Sequence, residues 1–402
     1  MNNKYFVTAF TVLICIILMF IGTKLVFGIY TEKTIKVGFV YIGDEGTAYT
    51  NNFIRSQIEL EEAFDGKLKT VAKYNIAENN CDDAIYDLVN QKCDLIFTTS
   101  YGYSESTKRI ASEHPEVQFC QATGDNANTE PVLPNYHTFM GTIYEGRYVS
   151  GIVAGMKLLD LMRQGKLQTS KAKIGYVAAF PHPEVISGYT AFFLGVRSVV
   201  PEVTMSVRYT NTWSNYILEK HCAERLINED GCILISQHSD TIGPATACEE
   251  ASVKNWKTVF HVGYNQSMTD VAPTTSLVAC RINWSPYILK ASEAVLKNRP
   301  IESVVKSTIK GNDSGAGFKN EWVEMIGLNQ LVAAPDTAEE IASVLRQFQN
   351  DEIQVFKGNY IGENPDIKDD IWDLRNPFPE NKERSAPAFC YILRDVISVE
   401  EN

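Results

Sequence analysis

The stretch Lys173–Val203, KIGYVAAFPHPEVISGYTAFFLGVRSVVPEV, carries the reading of the fold. Ile174–Ala178 is a short apolar run with β-branched residues. Phe180-Pro181-His182-Pro183 forbids regular structure, and from Glu184 apolar residues recur at Val185, Tyr189, Phe192, Phe193 and Val196. That order is strand, loop, helix. In an open α/β sheet, ligands sit where such loops leave the carboxyl ends of the strands. The Phe180–Pro183 loop is therefore either a wall of a ligand site or a crossover loop with a packed phenylalanine.

The same unit recurs outward in both directions. Thr34–Ile42 reads as a strand, followed by Gly43–Tyr49 and a helical pattern through Phe53, Ile54, Ile58 and Leu60. Glycines at that turn let a backbone approach a ligand, while Asp44 and Tyr49 supply a carboxylate and a stacking face; an N-capping turn with a packed tyrosine reads equally well. The turn is not GxGxxG and lacks a lysine, which speaks against phosphate binding. Asp94–Thr98 is a buried strand delivering Thr99-Ser100-Tyr101, and Gln118–Ala122 is another. Tyr144–Leu159 is a helix whose Gly146, Gly151 and Gly155 admit another backbone. Beyond the central stretch, Thr204–Tyr209 leads to Trp213, Cys232–Ser236 to Gln237-His238-Ser239-Asp240, Thr258–Val262 to Gly263-Tyr264-Asn265, and Ser276–Ile282 to Asn283-Trp284. Such alternation specifies parallel sheets with right-handed crossovers. From about Asn298 the pattern weakens, with a Gly-rich turn at Gly311–Gly317, a helix at Thr337–Gln349 and a polar tail. Two comparable units, Thr34–Phe139 and Tyr144–Val262, imply two similar lobes gripping a ligand between them, with hinge closure to bury it.

Composition narrows the function classes. The 402 residues allow two or more domains, and 45% hydrophobic with 11% aromatic residues fits a packed protein. A net charge of −12 leaves no basic stripe for nucleic acid. Tyr5–Gly22 is an uncharged apolar run between Lys4 and Lys24. Its length nears that of a membrane span, and Lys4 favours a cytoplasmic amino end, so the remainder lies outside the cytoplasm. An uncleaved anchor is the favoured reading; a cleaved signal is the alternative, and lipidation at Cys15 is opposed by Ile14 where a small residue belongs. Eight cysteines lie outside that run, without CxxC or zinc-like spacing, and several sit within apolar runs as buried free thiols. No GxSxG elbow is present and the six histidines lack metal-ligand periodicity. His238 near Asp240 reads either as an acid–base pair or as hydrogen-bonding ligand contacts. The chain reads as a binding protein rather than an enzyme, with no cofactor or metal.

AFPHPEV at Ala179–Val185, GYTAFFLGVRSVVP at Gly188–Pro201, Trp213, QHSD at Gln237–Asp240 and GYN at Gly263–Asn265 resemble the basic membrane protein (BMP) family of substrate-binding proteins. YEGRYVSGIVAG at Tyr144–Gly155 and TTSYGY at Thr98–Tyr103 match too. The best-known members are purine nucleoside receptors of ABC importers. The resemblance implies an α/β, type I periplasmic-binding-protein fold, two parallel-sheet lobes joined by three crossings. Residues 34–139 plus 263–310 would form lobe 1, and 140–262 plus 311–402 lobe 2, after an N-terminal segment 1–33. It further implies a heteroaromatic base held between Tyr49 and Trp213, with Asp44 and Asp240 as carboxylate acceptors. Ser100, Phe180, Gln237 and Arg281 would line the remainder, and Thr50, Tyr101, His238 and Asn265 complete the candidate set. Relatives usually carry an acid where this chain has Asn265, often another at Ser267, and tend to carry Trp at Thr47. An altered ribose-binding half follows, which leaves a free base or a flavin open. Trp213 as a core residue and Asp240 as a helix cap are the structural alternatives. The implied function is capture of a purine nucleoside or nucleobase for permease subunits at the plasma membrane, with the ligand-binding part extracytoplasmic. A ligand-sensing module of a signalling system is the alternative.

Overall fold

The structure is a computed structural model and describes residues 34–400; the Tyr5–Gly22 run lies outside the described residues. Among the described residues, no helix is long and apolar enough to cross a membrane.

The first lobe is built on β1 (Ile35–Val40), β2 (Leu68–Lys73), β3 (Leu95–Thr98), β4 (Gln118–Ala122) and β5 (Tyr136–Gly141). They pair in parallel in the order β2-β1-β3-β4-β5 and are extended by β11 (Asp313–Ala316), also parallel. The crossover helices are α1 (Ala48–Ala63), α2 (Cys81–Asn90) and α3 (Ser104–Glu113). Strands β3 and β5 are buried on both faces, as the centre of a doubly covered parallel sheet requires.

The second lobe repeats the plan with β6 (Lys173–Ala178), β7 (Thr204–Tyr209), β8 (Leu234–His238), β9 (Phe260–Tyr264) and β10 (Ser276–Ile282). Their order is β7-β6-β8-β9-β10, with β12 (Val323–Ile326) antiparallel at one edge and β16 (Ile397–Val399) parallel at the other. The helices are α4 (Ile143–Arg163), α5 (Pro183–Val199), α6 (Tyr216–Asn228) and α7 (Gly243–Asn255). Helices α4 and α5 cross at two glycines. A Cβ on Gly151 would lie 2.0 Å from the Phe192 carbonyl oxygen, and one on Gly195 would lie 2.1 Å from that of Tyr148. Of the glycines expected to admit a second backbone, Gly151 and Gly155 do so, whereas Gly146 makes room for the Cys280 and Val323 side chains of the second sheet.

The lobes are linked by β5 to α4, by β10 to α8 (Ser285–Leu296), and by β11 to β12. Strand pairing departs from the expected division. β10, expected in lobe 1, completes the second sheet, whereas β11, expected in lobe 2, completes the first. Helix α8 does belong with lobe 1. Trp284 stacks on Phe53 at 4.3 Å and Tyr287 on Phe139 at 3.9 Å, and Ser285 donates to Ser56 at 2.9 Å.

The tail after α9 (Thr337–Gln349) is folded. Strands β13 (Ile361–Glu363), β14 (Ile371–Asp373) and β15 (Ile392–Leu393) form a small antiparallel sheet. Phe356 stacks on Phe389 at 4.5 Å with Phe378 edge-on at 5.2 Å. Aromatics spaced among charged residues hide this core from a reading by periodicity. Among the described residues all eight cysteines are unpaired, and burial pushes the Cys93 thiol up to about 11.

Candidate functional site

Strand exits from the two lobes converge on one cavity with about 470 Å³ of space between its atoms, part of it open to solvent. Lobe 1 contributes Ile42 and Tyr49 after β1, Ser100 and Tyr101 after β3, and Thr123 after β4. Lobe 2 contributes Glu184 after β6, Trp213 after β7, and His238, Ser239 and Asp240 from the end of β8. Tyr264 and Asn265 close it from β9. Every one of these exits is a carboxyl end, where the right-handed crossover leaves the sheet and side chains can face the opposing lobe.

The two expected stacking residues line this cavity from opposite lobes, and each is held by its surroundings. The Tyr49 hydroxyl donates to the Thr99 carbonyl at 2.8 Å, and its ring meets Phe53 edge-on at 5.3 Å. Trp213 is fixed by its own carbonyl, which accepts from the Asp240 N–H at 3.0 Å, and by Phe180 edge-on at 5.1 Å. Phe180 itself does not line the cavity. It stacks on His182 at 5.3 Å and buttresses the indole.

The carboxylates and the imidazole lie on the lobe 2 side. Buried Glu219 accepts from Ser239 Oγ at 2.7 Å, from the Thr241 N–H at 3.1 Å and from the Asn215 N–H at 2.9 Å, pinning the loop that carries Asp240. Burial pushes the Asp240 carboxyl up to about 7, against the pull of Asn265, whose Nδ2 donates to Oδ1 at 3.2 Å; Glu219 and Glu184 push the same way as burial. His238 is 1% exposed and, among the described residues, neither ring nitrogen has a hydrogen-bond partner; Glu184 Oε1 stands 3.7 Å from Nε2. Burial lowers the imidazole's affinity for a proton, so the ring is a neutral donor and acceptor. The ring forms part of the cavity wall, with Nε2 on the side of Glu184 and Nδ1 against α5. Gly188 makes room for it, since a Cβ there would lie 2.5 Å from His238 Nδ1.

Five expected residues fall elsewhere. Asp44 caps its own turn, accepting from the Gly46 N–H at 3.0 Å and Asn75 Nδ2 at 3.1 Å, which lower its pKa. Thr50 is buried inside α1 and, like Phe180, does not reach the cavity. Gln237 spends its amide on the Ser239 and Thr241 carbonyls, both at 2.8 Å, and on His261. Arg281 pairs with Glu324 at 2.8 Å and lines a separate depression with Asn51, Arg55 and Gln266. The sequence reading missed Glu184, Thr123, Ser239, Tyr264 and Ile42. Glu184 reads as an ordinary acid in a first helical turn beside Pro183. Buried Arg147 was also missed: its guanidinium lies over the Tyr176, Phe192 and Tyr264 rings at 5.3, 5.3 and 5.4 Å and donates to Ser236 Oγ at 2.6 Å, supporting the cavity wall from behind. Among the described residues no cluster of three or more His, Cys, Asp or Glu could hold a metal ion.

Residues 47–357 match the family model for Bmp, the ABC transporter substrate-binding protein PnrA-like family. The chain belongs to the Bmp family. This Bmp-family protein is 29% identical over 332 residues to a purine-binding protein of Brucella abortus, covering 82% of this chain and 85% of the relative. It is 28% identical over 360 residues to a putative ABC transporter glucose-binding protein of Haloferax volcanii, covering 89% and 82%. Two solved solute-binding proteins of ABC transporter systems share the fold. That of Aeropyrum pernix has a TM-score of 0.65 at 16% identity, covering 79% of this chain and 92% of its own. That of Conexibacter woesei has a TM-score of 0.62 at 16% identity, covering 80% and 98%. The type I periplasmic-binding-protein architecture is therefore established, and the protein is an extracytoplasmic ABC-transporter solute-binding protein, a partner of permease subunits that binds its solute without transforming it.

Proposed function

We propose that this Bmp-family protein captures a purine nucleoside or nucleobase in its interlobe cleft, held at the plasma membrane through its N-terminal segment. The observation that carries the ligand class is the pairing of Tyr49 and Trp213, from opposite lobes, on a cavity that also holds Asp240 and unsatisfied His238. Aromatic faces suit a flat heterocycle, contributing roughly 1–3 kcal/mol per stacked ring. Asp240, His238 and Asn265 together offer donors and acceptors to ring nitrogens and exocyclic groups. Hinge motion at the three crossings admits the ligand, and closure buries it between the lobes. The likeness to the Brucella abortus purine-binding protein supports this reading.

The test is titration calorimetry of the detergent-solubilised full chain with adenosine, adenine, inosine, riboflavin and glucose, alongside mass spectrometry of any small molecule released on denaturation. Saturable purine binding supports the proposal. Binding of glucose or riboflavin without purine binding overturns the ligand class, and turnover of a nucleoside to base and sugar overturns binding as the function.

A further inference from the structure

The family match ends at residue 357, yet the chain continues into folded structure that meets both lobes. On lobe 2, β16 adds to the sheet edge beside β7, and Glu380 accepts from Ser187 Oγ of α5 at 3.0 Å. On lobe 1, Ser385 donates from its N–H and its Oγ to buried Asp313 of β11, both at 2.6 Å, and Arg384 pairs with Asp125 at 3.0 Å. Asp125 follows β4, at the same sheet end as the cavity. Between these anchors, Arg384, Ala386 and Pro387 wall a second compartment with about 420 Å³ of space, also lined by Asp125 and His182. Tyr101, Thr123, Glu184 and Trp213 line both this compartment and the aromatic cavity, so the two are continuous.

Resting on the purine reading, we propose that the segment after residue 357 is part of the binding device and that Arg384 is a specificity-determining residue of the cleft. It reads a hydroxylated substituent that extends from the heterocycle into the outer compartment. The chemistry is complementary on both sides. Neighbouring hydroxyls each donate and accept; Asp125 and Glu184 accept, and the Arg384 guanidinium donates. Among the described residues Arg384 Nε has no hydrogen-bond partner, while its other nitrogens bond Asp125 and the Pro387 carbonyl. The family architecture that offers the base its inner cavity thus carries, in the segment beyond the family model's match, a third wall that tells a glycosylated base from a free one.

The experiment measures dissociation constants for adenosine and adenine on the full chain, on Arg384→Ala and on Ala386→Trp, with thermal unfolding to confirm that each variant folds. The expected result is that the wild type prefers adenosine. Arg384→Ala weakens adenosine about tenfold, as expected of one lost hydrogen bond to a charged group, while adenine holds within about threefold. Ala386→Trp, which fills the outer compartment, blocks adenosine and spares adenine, so a misfolded Arg384 variant does not leave the question standing. Equal effects on both ligands, or none, overturn the role of Arg384. A wild type that binds adenine as tightly as adenosine overturns the outer compartment alone, whereas one that binds neither overturns the purine reading and this assignment with it.

Discussion

Trp213 and Asp240 occupy one corner of the cleft and are tied through a single backbone bond, the Asp240 N–H to the Trp213 carbonyl. The indole is partly exposed to the cavity, so truncation removes stacking area without opening the core. Trp213→Ala is expected to weaken purine binding at least about tenfold, equivalent to about 1.4 kcal/mol, with little change in thermal stability. Unchanged affinity by calorimetry would remove the ring from the site. Asp240 gives a pH signature. Its carboxyl is pushed up to about 7 by burial, so at lower pH it is protonated and donates, and at higher pH it only accepts. The groups facing it are Glu219, Glu184, the Tyr49 and Tyr264 hydroxyls and the amide of Asn265. A ligand offering N–H or O–H to this corner is held more tightly as Asp240 ionises. Affinity is therefore expected to rise from about pH 6 to about pH 8, and Asp240→Asn to flatten that rise. A slope that survives the substitution would place the titration elsewhere. Asn265 also clarifies a departure noted in the sequence. It sits at φ 61°, a conformation asparagine tolerates, accepts from lobe 1 Asn52 through its carbonyl at 3.0 Å and donates to Asp240. An acid there would set two carboxylates against each other.

At the scale of elements, α5 does two things that its sequence encodes through glycine. Gly195 lets it touch α4, and Gly188 lets the His238 ring lie against it on the cavity side. The two sites predict different phenotypes. Gly195→Ala drives a Cβ against the Tyr148 backbone, which cannot yield as a flexible side chain would, and is expected to cost about 1–3 kcal/mol or more of stability in denaturant unfolding. Gly188→Ala meets only an imidazole, which moves toward the cavity, so the expected loss is chiefly in affinity, with the unfolding midpoint nearly kept. The reverse pattern would refute this division of labour. The strand–loop–helix rhythm of α5 and its neighbours was legible because β-branched runs and helical spacing alternate there. β5, Tyr136–Gly141, escaped reading because His137 and Thr138 interrupt its apolar pattern, although every residue in it is buried. β11 escaped because Asp313-Ser314-Gly315-Ala316 reads as a turn; its backbone pairs with β5 and its carboxylate serves Thr138 and Ser385. Tyr49 and Trp213 were singled out because a family pattern marked them, and both line the cavity. Gln237 and Arg281 were misplaced because their polar groups have partners that only the folded chain supplies.

For the whole molecule, two half-buried carboxyls tie together the segments that connect the lobes and the C-terminal segment. Glu145, beside the first crossing, accepts from the Phe318 N–H at 2.9 Å in the third crossing. Glu380 accepts from Ser187, from the Ala388 N–H at 3.0 Å and from the Phe389 N–H at 2.9 Å, anchoring the C-terminal segment to α5. Burial pushes each of these carboxyls up to about 7, well above the ordinary glutamate value of 4.5. Between those two values the folded state binds a proton that the unfolded chain has released, so the slope of unfolding free energy against pH is negative there. The contribution of each group is complete below the unfolded value, falls as pH rises, and has gone above the folded value. Thermal unfolding of the full chain is therefore expected to show a midpoint that falls from about pH 5 to about pH 8. Glu145→Gln, which keeps the shape and cannot ionise, is expected to reduce that fall and to raise the midpoint at the alkaline end. Because Glu145 joins two crossings, the same variant reports on the hinge: if the lobes stay coupled through it, ligand affinity at about pH 8 rises with the midpoint. A midpoint that climbs with pH, or that ignores the Glu145→Gln substitution, would mean that these carboxyls ionise freely and that the joints are wetter than their packing implies.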